Sequence, residues 1–277
     1  MQTKRERLLI FSGTHIRYKY LANQLLNKYS DSCLIAQNVT KGDYVGKYDN
    51  NNFYDANTIE LLNNHLKVRD NIEKHYFLEE NFLLKKTHQV LTVGSESLNS
   101  LTTIRFIENV QPTVVFSFGI GMLNKQVLDA LKNVHIVNYH LGLSPYYRSS
   151  DTLLWPLYLQ KPGHIGFTLH QIDSKPDHGR IYHQQQTSFN KQDSIHSIFC
   201  KTIVQGTKPT IKLIDALMKD KCIHLFRPKV EGKVFFKNEF TPNHLKIIYQ
   251  LIEDGMLSKY LDDQYQKSNL NLYSCFN

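Results

Sequence analysis

Two short apolar runs separated by one helix-length stretch open this chain, and that order leaves few folds to choose from. Leu8-Leu9-Ile10-Phe11 is broken by Ser12-Gly13-Thr14. Tyr20, Leu21, Leu25 and Leu26 then recur at helical spacing. Cys33-Leu34-Ile35-Ala36 is the second apolar run. Strand, helix and strand in that succession imply parallel strands in a sheet flanked by helices. Gly13 stands alone, so the Gly-x-Gly-x-x-Gly fingerprint of a dinucleotide fold is absent.

The same alternation continues. A polar loop is expected over 37–52, a helix over 57–84 and a strand over 89–93. An amphipathic helix is expected over 99–110. Thr113-Val114-Val115-Phe116-Ser117-Phe118 reads as a central strand that ends in the glycine-rich turn Gly119-Ile120-Gly121-Met122-Leu123. Asn124 is a fitting cap for a helix to residue 131. Val134-His135-Ile136-Val137 is the next strand. A helix capped by Asp151 and kinked at Pro156 is expected over 151–160, with strands over 164–172 and 179–186. A long helix over 192–219, interrupted near 206–209, comes next. Residues 230–234 suggest a hairpin, and Thr241-Pro242 starts a helix by the proline-at-first-turn rule. Residues 262–277 are polar and are expected to pack loosely. The fold class is therefore α/β, Rossmann-like, mainly parallel with helices on both faces. Residues 1–220 form the main domain, and 221–277 form a small C-terminal α/β extension with a hairpin.

Composition narrows the classes. No apolar run reaches membrane-span length, and the charged N-terminus leads into a run too short for a secretory signal. Cys33, Cys200, Cys222 and Cys275 are widely spaced, which suggests neither a zinc site nor a disulfide framework, and a reducing cytoplasm is expected. The net charge of +8 favours anionic partners or a lysine-rich solvated surface. No arginine-rich stripe marks a dedicated nucleic-acid binder.

The chemistry concentrates around Asn138, His140 and Asp177. Asn138 and His140 lie two apart at the end of an apolar run, so they project from one side of a strand. They open into a Gly/Pro/Ser loop, where α/β proteins place chemistry. Asp177 precedes Gly179 at another loop-to-strand passage. An amide donor, an imidazole and a carboxylate are a set suited to moving an acyl group onto an amine. Each also has a plain structural role: Asn and Asp are turn formers, and a lone His is more often structural. His135, His140, His164, His170, His178 and His183 make the segment histidine-dense, but none has the helical spacing of a metal pair, and no metal is expected.

This stretch resembles the folate-dependent formyltransferase family. The family's signature runs Asn-x-His-Pro-Ser-Leu-Leu-Pro-x-Tyr-Arg-Gly, then Gly-Val-Thr-x-His-x-x-Asp, then Asp-x-Gly. The chain keeps Asn138, His140, Leu143, Pro145, Tyr147 and Arg148, then Gly166, Thr168, His170, Asp173, Asp177 and Gly179. It departs in Leu141-Gly142-Leu143-Ser144, where the family carries Pro-Ser-Leu-Leu and only Leu143 is kept, and at Ser149, where the family carries Gly. The match is dense from about residue 111 to 187 and thin elsewhere.

The resemblance implies transfer of a formyl group from 10-formyltetrahydrofolate, a co-substrate, without a metal. Asn138 is then the oxyanion donor. His140 is the base or a second oxyanion donor. Asp177 orients His140, raises its pKa or holds a proton-relaying water. Phe118, Gly119, Met122 and Leu123 are expected to border the folate pteridine, with backbone groups bonding it. Tyr147 and Arg148 are expected at the substrate, Arg148 on a phosphate, on the folate glutamate or bracing the loop. His170 and Asp173 are expected to set strand geometry. The short aromatic C-terminal extension resembles that of the sugar-nucleotide N-formyltransferases, which implies a dTDP-linked amino-dideoxy sugar acceptor, such as dTDP-4-amino-4,6-dideoxyglucose or a 3-amino analogue, used for O-antigen and lipopolysaccharide biosynthesis. It also implies a homodimer without nucleic-acid or membrane partners. A methionyl-tRNA formyltransferase and a non-catalytic folate- or nucleotide-binding protein are the alternatives.

Overall fold

The computed structural model describes residues 6–38, 54–219, 221–264 and 270–276. The opening is β1 (Leu8–Gly13), α1 (Ile16–Lys28) and β2 (Cys33–Asn38). After it come α2 (Ala56–Phe77), β3 (Gln89–Gly94), α3 (Leu101–Val110), β4 (Val114–Phe118), α4 (Lys125–Ala130) and β5 (His135–His140). The chain continues through β6 (Tyr147–Ser149), α5 (Leu154–Tyr158), β7 (Gly166–His170), β8 (Ile181–Gln186) and α6 (Ile195–Met218). It ends with β9 (Lys233–Phe235), α7 (Pro242–Glu253) and α8 (Met256–Leu261).

Seven strands form one sheet in the order β3-β2-β1-β4-β5-β7-β8. The first five are mutually parallel, and β7 runs against both β5 and β8. Both faces are covered, because strand residues alternate between two cores. Leu8, Ile10, Leu34, Val114 and Phe116 join α1 and α6 in one cluster. Leu9, Phe11, Cys33, Ile35 and Val115 join α3 and α4 in another. Strands buried on both sides read as continuous apolar runs, which is why the sequence revealed them.

Strand order reverses between β1 and β4, so the connections leaving them diverge and open a crevice at their carboxyl ends. Gly119 ends β4 there with φ of +69°, and a Cβ on it would lie 2.5 Å from the Tyr18 ring. Glycine is thus required where the turn leaves the sheet.

Several expectations are corrected. The helix over 57–84 ends at Phe77, where Leu78 turns to φ of +56°. The Asp151-capped helix is only α5: the Asp151 carbonyl, not its carboxylate, takes the N–H groups of Leu154 and Trp155. α6 runs unbroken past Pro209. Residues 230–234 make no hairpin; Lys233, Val234 and Phe235 of β9 pair in parallel with Tyr147, Arg148 and Ser149 of β6. The tail is not loose where it is described, since Tyr273, Ser274 and Cys275 bond along β8. The polar loop expected over 37–52 lies, from residue 39 on, outside the described residues.

Candidate active site

Asn138 and His140 sit in β5 itself, on one side of the strand, with Tyr139 between them on the other. Tyr139 is locked by stacking on Phe167 at 5.1 Å and by donating to the Thr202 carbonyl at 2.8 Å. The register of the two polar residues is therefore fixed from behind. Ser117, one strand away on β4, donates to Asn138 Oδ1 at 2.7 Å and so determines which way the amide faces. Asn138 Nδ2 lies 3.1 Å from His170 Nε2 and 3.4 Å from Asp177 Oδ1.

Asp177 is the hub. Its Oδ2 accepts from the Ser149 N–H at 2.9 Å and faces His140 Nδ1 at 3.3 Å. Its Oδ1 faces His170 Nε2 at 3.2 Å. Burial works to raise the Asp177 pKa, but His140, His170 and the Ser149 amide outweigh it and hold the carboxyl well below the usual range. Gly179 makes this turn possible, because a Cβ there would meet the Gln171 carbonyl at 1.7 Å.

His140 Nε2 donates to the Tyr147 carbonyl at 2.9 Å. Burial lowers the His140 pKa against the opposing pull of Asp177. The ring is thus neutral near pH 7 with its proton on Nε2, and Nδ1 is left basic beside Asp177. His170 is tied in reverse, its Nδ1 donating to the Gln171 carbonyl at 2.6 Å. The loop that departs from the family's sequence is held from beneath by Thr168, whose Oγ1 donates to the Gly142 carbonyl at 2.6 Å and accepts from the Ser144 N–H at 3.0 Å. Ser149, at the family's glycine position, takes φ of +79°. That conformation favours glycine, and it is what aims the Ser149 amide at Asp177.

These groups line a cavity of about 850 Å³ at the carboxyl ends of β1, β4 and β5. Asn138, His140 and Asp177 all reach it, as do Phe118, Gly119 and Met122. Leu123 does not; it is buried in the core beneath the turn. Tyr147 and Arg148 are not on the wall either. Tyr147 stacks on Phe235 at 5.8 Å, and Arg148 donates to the Gly232 carbonyl at 3.2 Å, so both hold β6 to β9. The turn after β4 is itself anchored: the Gly121 N–H donates to Gln37 and the Met122 carbonyl accepts from Asn99. Those two backbone groups are spoken for.

A second arm of the cavity was not read from the sequence. Arg17 of α1, His65 and Arg69 of α2, and His196 of α6 line it. Arg17 pairs with the buried Glu73 at 2.5 Å. The rings of His65 and His196 lie 4.4 Å apart, and burial lowers their pKa values to about 3 and about 4, so both are neutral. No motif could have joined residues from three helices. Ser117 did carry a signal, as the polar residue in an otherwise apolar strand.

No protein-family model matches the chain. It is 25% identical over 48% of its length, and 20% of the relative's, to the bifunctional polymyxin resistance protein ArnA of Wigglesworthia glossinidia brevipalpis. It is 22% identical to methionyl-tRNA formyltransferase of Enterococcus faecalis over 59% of the chain and 51% of the relative. To dTDP-4-amino-4,6-dideoxyglucose formyltransferase of Mycobacterium bovis it is 26% identical over 40% of the chain and 46% of the relative. The chain thus spans about half or less of the curated relatives it matches. Among solved structures, a sugar N-formyltransferase from Shewanella covers 86% of this chain and 79% of its own, with TM-score 0.54 and 14% identity. An N-formyltransferase from Helicobacter canadensis, in complex with folinic acid and dTDP-3-aminofucose, covers 96% and 84%, with TM-score 0.53 and 15% identity. The fold is that of the formyltransferases. In sequence, too, the chain is similar to the folate-dependent formyltransferases, the sugar-nucleotide enzymes among them.

Proposed function

We propose that this chain is an N-formyltransferase that moves the formyl group of 10-formyltetrahydrofolate onto the amine of a nucleotide-linked amino-dideoxy sugar. The acceptor class is dTDP-4-amino-4,6-dideoxyglucose or a 3-amino analogue, for surface polysaccharide synthesis, and the enzyme acts as a homodimer. The observation that carries this reading is the meeting of Asn138, His140 and Asp177 on one wall of the crevice cavity. A relative named for that sugar nucleotide supports the acceptor.

The cavity fits the folate. Phe118, Gly119, Ile120 and Leu98 give one arm apolar walls with peptide edges, suited to a flat heteroaromatic ring. Folate, when bound, supplies an activated formyl group. Asn138 keeps one Nδ2 hydrogen for a developing oxyanion, since Nδ2 carries two and its internal partners lie together on one side. His140 Nδ1 would accept the proton that leaves the attacking nitrogen, Asp177 would stabilise the imidazolium so formed, and that proton would pass on to the folate nitrogen that departs. His170 and Ser149 keep Asp177 ionised and in place.

A methionyl-tRNA formyltransferase is the second reading, favoured by the net charge of +8 and by the Enterococcus relative. The test is incubation with 10-formyltetrahydrofolate and either amino-sugar nucleotides or charged initiator tRNA. A mass gain of one formyl group on a dTDP-amino sugar, lost in Asn138→Ala and His140→Ala, supports the proposal. Formylation of the tRNA alone moves the chain to the second reading. Silence with folate still bound, at an affinity unchanged in His140→Ala, leaves only a binding protein.

A further inference from the structure

Asp151 is a carboxylate on the cavity wall that the chemistry above leaves unused. It lies two residues beyond Ser149, whose amide holds Asp177. Its backbone sits at φ of +55°, in the left-handed region. An aspartate at the start of a helix ordinarily caps it through its side chain. Here the carbonyl does that work for α5, and among the described residues the carboxylate has no hydrogen-bond partner. A half-buried carboxylate with no protein donor, facing a ligand cavity, is left to water or to a ligand for its hydrogen bonds.

The charged surroundings point to the sign of that ligand. Lys237, on the segment after β9, is the cation whose field reaches Asp151, and it too lines the cavity, but it makes no ion pair with the carboxylate. Asp177 accepts from the Ser149 N–H and from the Asn138 amide. Arg17 and Arg69 are each paired with an acidic neighbour, and His65 and His196 are neutral. Asp151 is therefore the one acidic group on the described wall left without a hydrogen-bonding donor.

We propose that Asp151 receives the acceptor as its ammonium ion and takes the proton that must leave before that nitrogen can attack. This rests on the transfer reading above. In the step, one N–H bond of the ammonium breaks, its electron pair stays on nitrogen, and an O–H bond forms on Asp151. The amine is now neutral and the carboxyl uncharged; the carboxyl returns its proton to solvent after the product leaves. The desolvated carboxylate is well suited to this, because burial raises its pKa to about 6, which Lys237 only partly opposes. Transfer of a proton from an ammonium of pKa about 8 is uphill, but by less than it would be to an ordinary carboxylate.

Asp151→Asn tests this, because asparagine nearly matches the shape and tolerates left-handed backbone. Formyl transfer to dTDP-4-amino-4,6-dideoxyglucose is followed from pH 6 to 9.5, alongside calorimetry of acceptor binding at pH 7 in two buffers of different ionisation enthalpy. The expected loss in kcat/KM at pH 7 is about 100-fold, the size of a charged hydrogen bond removed. It shrinks to within about fivefold at pH 9.5, where the free amine dominates. The KM for folate stays put. Wild-type binding exchanges almost no proton with buffer, whereas the variant binds only free amine and releases close to one. A deficit that is the same at every pH, or a variant that binds with no proton release, overturns the assignment of Asp151 while leaving the transfer reading intact. No formylation by the wild-type chain overturns the transfer reading, and the assignment with it.

Discussion

Asp177→Asn removes one charge and almost no volume, so it isolates what the carboxylate does. An amide offers one acceptor oxygen where the carboxylate offers two. With that oxygen in the place of Oδ2, the NH2 meets the amide of Asn138; turned over, it meets the N–H of Ser149. Either way one donor faces another, at a cost of about 1–3 kcal/mol in stability. The catalytic cost is larger. At 3.3 Å from His140 Nδ1, an imidazolium–carboxylate pair is worth up to about 5 kcal/mol at an effective dielectric near 20. Water in the cavity screens part of this, so about 3–4 kcal/mol is expected in the transition state, a fall in kcat of about 10²- to 10³-fold. KM for both substrates should move only a few-fold. The pH profile gives an independent check. Burial lowers the His140 pKa and Asp177 opposes that fall. Without the carboxylate the pKa drops further, and the acidic limb of kcat moves to lower pH, since a base is active once deprotonated. Steady-state formyl transfer from pH 4.5 to 8 measures both. A kcat within tenfold of wild type, or an acidic limb that stays in place, would refute the His140–Asp177 pairing as the proton-handling unit.

Gly206→Ala should destabilise the chain by about 2–4 kcal/mol although alanine is the better helix former, because its Cβ would lie 1.9 Å from Tyr139 Oη. In a Tyr139→Leu background the same change should become neutral or stabilising, and urea midpoints of the four chains report that coupling. Asp151→Asn should leave stability unchanged at pH 4 and raise it by about 2 kcal/mol at pH 7. The native carboxyl, with its pKa raised to about 6, holds its proton between about pH 4 and 6 more tightly than the unfolded chain does, so wild-type stability falls as pH climbs through that window. Urea melts at the two pH values decide it.

What could be read along the chain was whatever lay close together in it. The apolar runs of β1, β2, β4 and β5 are contiguous and buried on both faces, so the parallel sheet and its crevice followed from them. Asn138 and His140 share a strand, and Asp177 was added by resemblance. The failures share a cause, which is partners remote in sequence. Residues 230–234 carry turn-like composition, yet their strand partner is Tyr147–Ser149. Tyr147 and Arg148 follow the loop after β5 and were expected at the substrate, with bracing of that loop the other role open to Arg148; the contacts they make run to Phe235 and Gly232, which are remote in sequence. Leu123 faces inward because the turn after β4 folds back over α3 and α4. Asp151 looked like a helix cap, and its own carbonyl had already taken that place.

Two aspartates on one cavity wall show how far surroundings, rather than residue type, set the chemistry. Asp177 and Asp151 are both partly buried, and burial alone would raise both. Asp177 is met by a backbone amide, two imidazoles and a side-chain amide, and it stays ionised to acidic pH. Asp151 is met by no donor and only by the more distant field of Lys237, and its carboxyl is pushed up to about 6. The proposed transfer to an amine would use both kinds of carboxylate. One must remain charged throughout to steady an imidazolium, and one must give up its charge to an incoming ammonium. A carboxylate supported like Asp177 would be too weak a base for the second task, and one as exposed to protonation as Asp151 would falter in the first. Under the proposed transfer, the opposite directions in which their titration ranges are moved would let the two acids handle different protons in one crevice.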